Sequence, residues 1–167
     1  MQISKQEAAS RQLDVAIRLF FRRCNVLAVF TLANAASVIL CDLVQTRNPN
    51  QDWNQIGAEA NGMPLSDWFK ALRRTPNFLK HARNDPDAYE EIGEADVDHI
   101  LFIACLNHGA LLTVAQHPST PQSIFQLWTW LDIQRICRAP AAWSYVRQQQ
   151  QARRLTNSGC AVQGWTG

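Results

Sequence analysis

No two of the five cysteines, at positions 24, 41, 105, 137 and 160, form a C-x-x-C pair. A zinc site needs clustered ligands, and this spacing supplies none. An odd count also excludes a fully paired disulfide framework. Cys24, Cys41 and Cys105 each fall within an apolar helical pattern, which reads as buried thiols in a reducing compartment. The opening residues, MQISKQEAAS, contain no apolar signal segment, which predicts a cytoplasmic location. Charge of one sign is also lacking. Sixteen Lys and Arg stand against fourteen Asp and Glu, a net charge of +2, so the molecule as a whole is no magnet for nucleic acid or membrane. Any such role rests on local patterning. The acidic stretch from Asp85 to Asp98 holds half of the fourteen acids and no basic residue, yet it lacks the D-x-D-x-D-G spacing of a calcium loop. No internal repeat and no strand pattern is visible. No metal or other cofactor is expected.

What is present is helical periodicity over 167 residues, a length that suits one domain with a real core. The expected fold is all-α: a bundle of four long helices and two shorter C-terminal ones, forming one domain over 1–152, with a frayed tail at 153–167. The first helix, near 4–24, buries Leu13, Ile17, Phe20 and Cys24 and turns Arg11, Asp14, Arg18 and Arg22 outward. Asp14 and Arg18 form an i,i+4 pair on that outer face. Asn25 caps a second helix near 26–46. Its uncharged run, Asn25 to Cys41, approaches membrane-span length. Asn25, Thr31, Asn34 and Ser37 make it a core helix instead. Residues 46–64 read as a loop with a turn at Trp53. Ser66 caps a third helix that reaches Asn84, with Trp68, Leu72 and Leu79 packing on the second helix. Pro76 either kinks that helix or divides it. A fourth helix near 95–116, a fifth opened by Thr120 and Pro121, and a sixth near 140–152 complete the pattern. His99 and His108 read as core-edge or surface residues, and Trp128 and Trp130 point to different faces.

One segment concentrates polar chemistry. If the helix continues through Pro76, then Arg74, Asn77 and His81 sit at i, i+3 and i+7 on one face. Lys70 and Asn84 extend the stripe, and Asp85 stands four residues beyond His81, in reach of its imidazole. The spacing resembles the R-x4-6-H motif of the HEPN superfamily (higher eukaryotes and prokaryotes nucleotide-binding). Arg74 and His81 bracket six residues, and Asn77 fits the polar position four before the histidine. The resemblance implies a bundle of four to five helices and a metal-independent ribonuclease acting as a homodimer, often as a toxin or antiviral effector. On that basis Arg74, Asn77, His81 and Asp85 are the catalytic candidates, and Lys70, Arg73, Lys80 and Arg83 the RNA-binding ones. The stretch is also similar to a family of uncharacterised bacterial helical proteins with an N-F-F-K-H-A-x-x-D-P motif. Asn77, Phe78, Lys80, His81, Ala82, Asp85 and Pro86 match, Leu79 departs, and the wider pattern spans about residues 10 to 115.

The chemistry implied is acid–base. His81 takes the 2′-hydroxyl proton and the Arg74 fork stabilises the phosphorane. A symmetric dimer supplies the second histidine that one chain lacks. A structural reading competes with it. There His81 is a helix-end histidine, Arg74 and Lys80 belong to a solvated face, and Asp85-Pro86-Asp87 is a helix-terminating turn. The corresponding function is a catalytically silent helical module that oligomerises or binds a cognate protein partner. Neither reading involves a membrane.

Overall fold

The computed structural model describes residues 2–131 apart from 82 and 84. The expected sixth helix, the tail, Cys137 and Cys160 therefore lie outside the described residues. Among those described there are six α-helices and no strand, an all-α fold. The helices are α1 (Lys5–Phe21), α2 (Val26–Arg47), α3 (Trp53–Ala60), α4 (Leu65–Lys80), α5 (Glu94–Ala110) and α6 (Thr120–Leu131).

The core forms around α2, which packs along α1 on one side and α5 on the other. By length and composition α2 could cross a membrane. Here its apolar surface is shared between two neighbours, with Val29, Phe30, Ala33, Ala36, Leu40 and Val44 buried. Leu13 and Ile17 of α1, Val97, Leu101 and Ala104 of α5, and Phe125 of α6 fill the spaces between. Burying each of the large side chains contributes about 1.5–3 kcal/mol. The Asn25 side chain accepts the Leu27 N–H at 2.9 Å, capping α2 as expected.

Several expectations need correction. The segment expected as a loop at 46–64 contains α3, an eight-residue helix capped by Asp52, whose carboxylate accepts the Asn54 N–H. Its polar sequence concealed a helix because its buried residues, Asn54 and Ala58, include an asparagine. Pro64 occupies the N-cap of α4 and Ser66 lies inside the helix, which ends at Lys80. Pro76 neither divides nor ends α4; it is buried within it. Glu94, Asp96 and Asp98 belong to α5, where acids near the N-terminus oppose the helix dipole favourably. That helix stops at Ala110, well before Gln116. Ser119, not Thr120, caps α6 by accepting the Gln122 N–H.

Facing is also revised in α1. Asp14 is half-buried and accepts hydrogen bonds from Ser119 and Gln122, so it joins α1 to α6 rather than pairing with Arg18. The surface ion pair on this helix is Arg11–Glu7. Cys24 is exposed because α1 ends before it, whereas Cys41 and Cys105 are buried as expected. The ending is a Schellman motif: Cys24 N–H donates to Leu19 O at 3.0 Å and Arg23 N–H to Phe20 O at 2.9 Å. Its left-handed residue, usually glycine, is Arg23 with φ of 52°.

Two substitutions involving glycine should have opposite signs. Arg23→Gly relieves the left-handed strain and should raise the unfolding free energy by ~1 kcal/mol in urea titrations. A lower midpoint would mean that the arginine side chain outweighs its backbone. Gly57→Ala should cost ~1–3 kcal/mol, because the new Cβ would stand 2.8 Å from the Trp68 ring where α3 meets α4. An unchanged midpoint would show that this contact can open freely.

Candidate functional site

The site is built on α4, whose apolar side meets the bundle chiefly through α3. Trp68 is buried, and Leu72 and Leu79 are half-buried. They face inward as expected, but Trp68 docks on α3 rather than directly on α2. Its indole N–H donates to Asn54 Oδ1 at 3.3 Å, and its ring meets the edge of His99. The opposite side of α4 exposes Lys70, Arg73, Arg74, Asn77 and Lys80. Since α4 is continuous through Pro76, these residues share one helical face.

His81 is where that face ends. It is the C-cap of α4, with extended backbone (φ −132°, ψ 123°), and its N–H still donates to Asn77 O at 3.0 Å. Its imidazole is exposed at the end of the stripe. Asp85 is exposed beyond the helix, where its carbonyl accepts the Ala88 N–H in the Asp-Pro turn. No hydrogen bond joins it to His81 among the described residues, since the helical i,i+4 relation stops at the cap. Arg83 is exposed in the same connection. Arg74 is held by an ion pair with Glu90 Oε2 at 2.9 Å. Glu90 also accepts from the Thr75 hydroxyl through its other oxygen. The acidic stretch is thus partly folded onto α4. Arg73 lies over the Phe69 ring, 5.3 Å from its centre.

Behind α4 is an internal polar network that the sequence did not reveal. Asp52 accepts from Gln45 at 2.9 Å and caps α3; Asn54 donates to Cys41 Sγ at 3.2 Å and accepts from Trp68. Asn107 of α5 accepts the Trp53 N–H at 3.1 Å. Burial, with Asp52 and Asp42 nearby, pushes the Cys41 thiol up to about 12. The thiol therefore stays protonated at neutral pH and is no nucleophile. Next to this network is a cavity of about 120 Å³ between α2, α4 and α5, with Asn34, Ser37, Cys41, Phe69, Leu72 and His99 in its wall. A second cavity, about 250 Å³, lies by the α1–α2 turn between Phe20, Phe21, Val97 and Trp128. Among the described residues no group of three or more His, Cys, Asp or Glu is placed to hold a metal ion.

His99 is half-buried, at the core edge as expected, whereas His108 is more enclosed than its pattern suggested. His108 is buried, and His99 forms part of the cavity wall. The signal for Asn34 was visible in the sequence: an uncharged polar residue inside the longest apolar run. Asn107, at the end of the apolar run Ile100 to Leu106, carried the same signal; for Asp52 and Asn54 none existed, because polar residues in a polar segment look solvated. No protein-family model, curated protein or solved structure matches this chain.

The enclosed histidines make stability pH-dependent. Burial lowers the His99 imidazole from its ordinary value to about 4, and lowers His108 in the same direction. The unfolded chain then binds more protons below about pH 6.5, so their contribution is flat above that value and stability falls from there towards pH 4. At about pH 5.5 the loss from His99 should be roughly 1–2 kcal/mol. His99→Phe, which keeps a ring against Trp68, should flatten the melting-temperature profile between pH 7 and 5. A profile as steep as the parent's would assign the acid sensitivity to other groups.

Proposed function

We propose that this chain is an RNA-directed helical protein of the HEPN kind, docking RNA along the exposed face of α4. The observation that carries this reading is the row of exposed cations on one helical face: Lys70, Arg73 and Lys80, with Arg74 beside them and Arg83 beyond the helix end. From Lys70 to Lys80 the row extends about 15 Å, enough to follow a backbone past more than one phosphate. The net charge of the chain is small, so attraction acts through this face and not through the whole molecule.

Cleavage is the finer part of the reading. One chain presents a single exposed histidine at the end of this face, and its neighbour Arg74 is neutralised by Glu90. A composite site therefore needs two copies meeting across α4, so that one His81 acts as base and the other as acid, with Arg74 exchanging Glu90 for phosphate. Asn77 lies between them as an orienting group. An outer strip on α6 favours a second reading. Ile124, Leu127 and Leu131 are exposed at i, i+3 and i+7, with Trp130 beside them, which suits a catalytically silent module that binds a protein partner.

Binding of labelled single-stranded RNA, followed by anisotropy at several salt concentrations, tests the docking face. The double variant Lys70→Glu/Lys80→Glu should keep its melting temperature, since both side chains are exposed, and should weaken binding by at least about tenfold with a shallower salt slope. RNA binding indifferent to this charge reversal would sink the α4 reading. Any cleavage should survive chelation, leave a 2′,3′-cyclic phosphate and fall by roughly 10²–10⁴-fold in His81→Ala. Equal rates in parent and variant would assign the activity to a contaminant.

A further inference from the structure

We propose that the cavity behind α4 is a pocket for one pyrimidine base, presented by the RNA strand that follows the α4 face. The proposal rests on the reading of α4 as the RNA-docking helix. It begins with Asn34, in the middle of α2. Its side chain is 6% exposed, lines the cavity, and makes no hydrogen bond among the described residues. Here the amide faces space rather than packed protein, so its donor and acceptor are both available to something entering that space.

The shape and chemistry of the cavity define what enters. Its volume is about 120 Å³. An enclosed cavity of roughly 150 Å³ holds one benzene ring, so this smaller, part-open space takes at most one six-membered ring entering edge-first, its outer side left in the mouth, and not a purine. Leu72, Ile100 and Ile103 supply apolar walls, and Phe69 an aromatic one. A side-chain amide offers a donor beside an acceptor, which matches the donor–acceptor pair on the Watson–Crick edge of uracil or cytosine. Ser37 and His99 add further polar atoms to the wall.

The cavity rim ties the pocket to the docking face. Arg73 belongs both to the cavity lining and to the exposed cations of α4, and its guanidinium lies over Phe69. A nucleotide whose base enters the cavity places its phosphate beside Arg73 and the neighbouring Lys70. Asp42, exposed on the α2 side of the lining, accepts from the ribose hydroxyls. Recognition of an unstacked base held between side chains is how proteins read single-stranded RNA.

The test compares oligo-U, oligo-C and oligo-A RNA decamers by anisotropy, and uridine monophosphate by thermal shift. The parent should bind oligo-U or oligo-C about tenfold tighter than oligo-A. Asn34→Leu should collapse that ratio to about twofold or less while melting at or above the parent temperature. Ser37→Leu, which fills the same space from the next turn of α2, should collapse it too, so the result does not depend on one variant folding. RNA binding without a pyrimidine preference, or with a preference that both variants retain, overturns the pocket and leaves the α4 reading standing. If RNA does not bind but uridine monophosphate stabilises the parent and not Asn34→Leu, the pocket stands with a free nucleotide as ligand and the α4 reading fails. Absence of both effects overturns both.

Discussion

The position of α4 depends on one buried asparagine. Asn54 receives the Trp68 indole N–H from α4 and gives its own amide to Cys41 on α2, while its backbone N–H is capped by Asp52. These bonds hold α3 and α4 against the central helix where few apolar contacts do so. Within a low-dielectric interior each partner left unpaired would carry a desolvation cost, so the network acts as a unit. The basic face, the cavity behind it and the enclosed His99 all take their positions from this attachment. It also explains the close approach at Gly57, where the Trp68 ring occupies the space of a side chain.

A second polar joint does comparable work at the other end of the chain. Asp14 of α1 takes hydrogen bonds from Ser119 and Gln122, and Gln122 also reaches Ser10. The aromatic contacts of Phe20 with Phe125 and Trp128 complete the attachment of α6. The three-helix core of α1, α2 and α5 is mainly apolar, with Asn34, Asp98, Asn107 and His108 buried at its margins. The peripheral helices α3, α4 and α6 are attached by buried polar groups together with a few aromatic rings. Directional bonds of this kind specify one placement more sharply than apolar contact alone.

Electrostatics near α4 are set by folding as much as by sequence. The acidic stretch after the helix would repel phosphate if it remained an extended loop beside the cations. Instead Glu90 is spent on Arg74 and Thr75, and Glu94, Asp96 and Asp98 enter α5. Lys70, Arg73 and Lys80 remain exposed. The same contact that takes Glu90 out of the acidic stretch also engages Arg74, so the cations of this face differ: Lys70, Arg73 and Lys80 have no acidic partner among the ion pairs of the described residues, and Arg74 has one.

The sequence by itself determined the all-α class, the central helix and the buried side of α1. Periodic apolar residues such as Leu13 and Ile17 must be hidden, and a helix with one shared side achieves that. It also marked α4 as polar on one face, because the spacing of Lys70, Arg74 and Asn77 needs nothing beyond a continuous helix. Only the tertiary structure decided that Pro76 is accommodated, that His81 caps the helix, and that Arg74 meets Glu90. Each depends on groups distant in sequence or on how the chain leaves the helix. Helix α3, the polar network and the cavity were illegible for a related reason. Asp52, Asn54 and Asn107 are residues that normally face water, and their burial becomes favourable only when hydrogen-bonding partners from three other helices arrive at the same place.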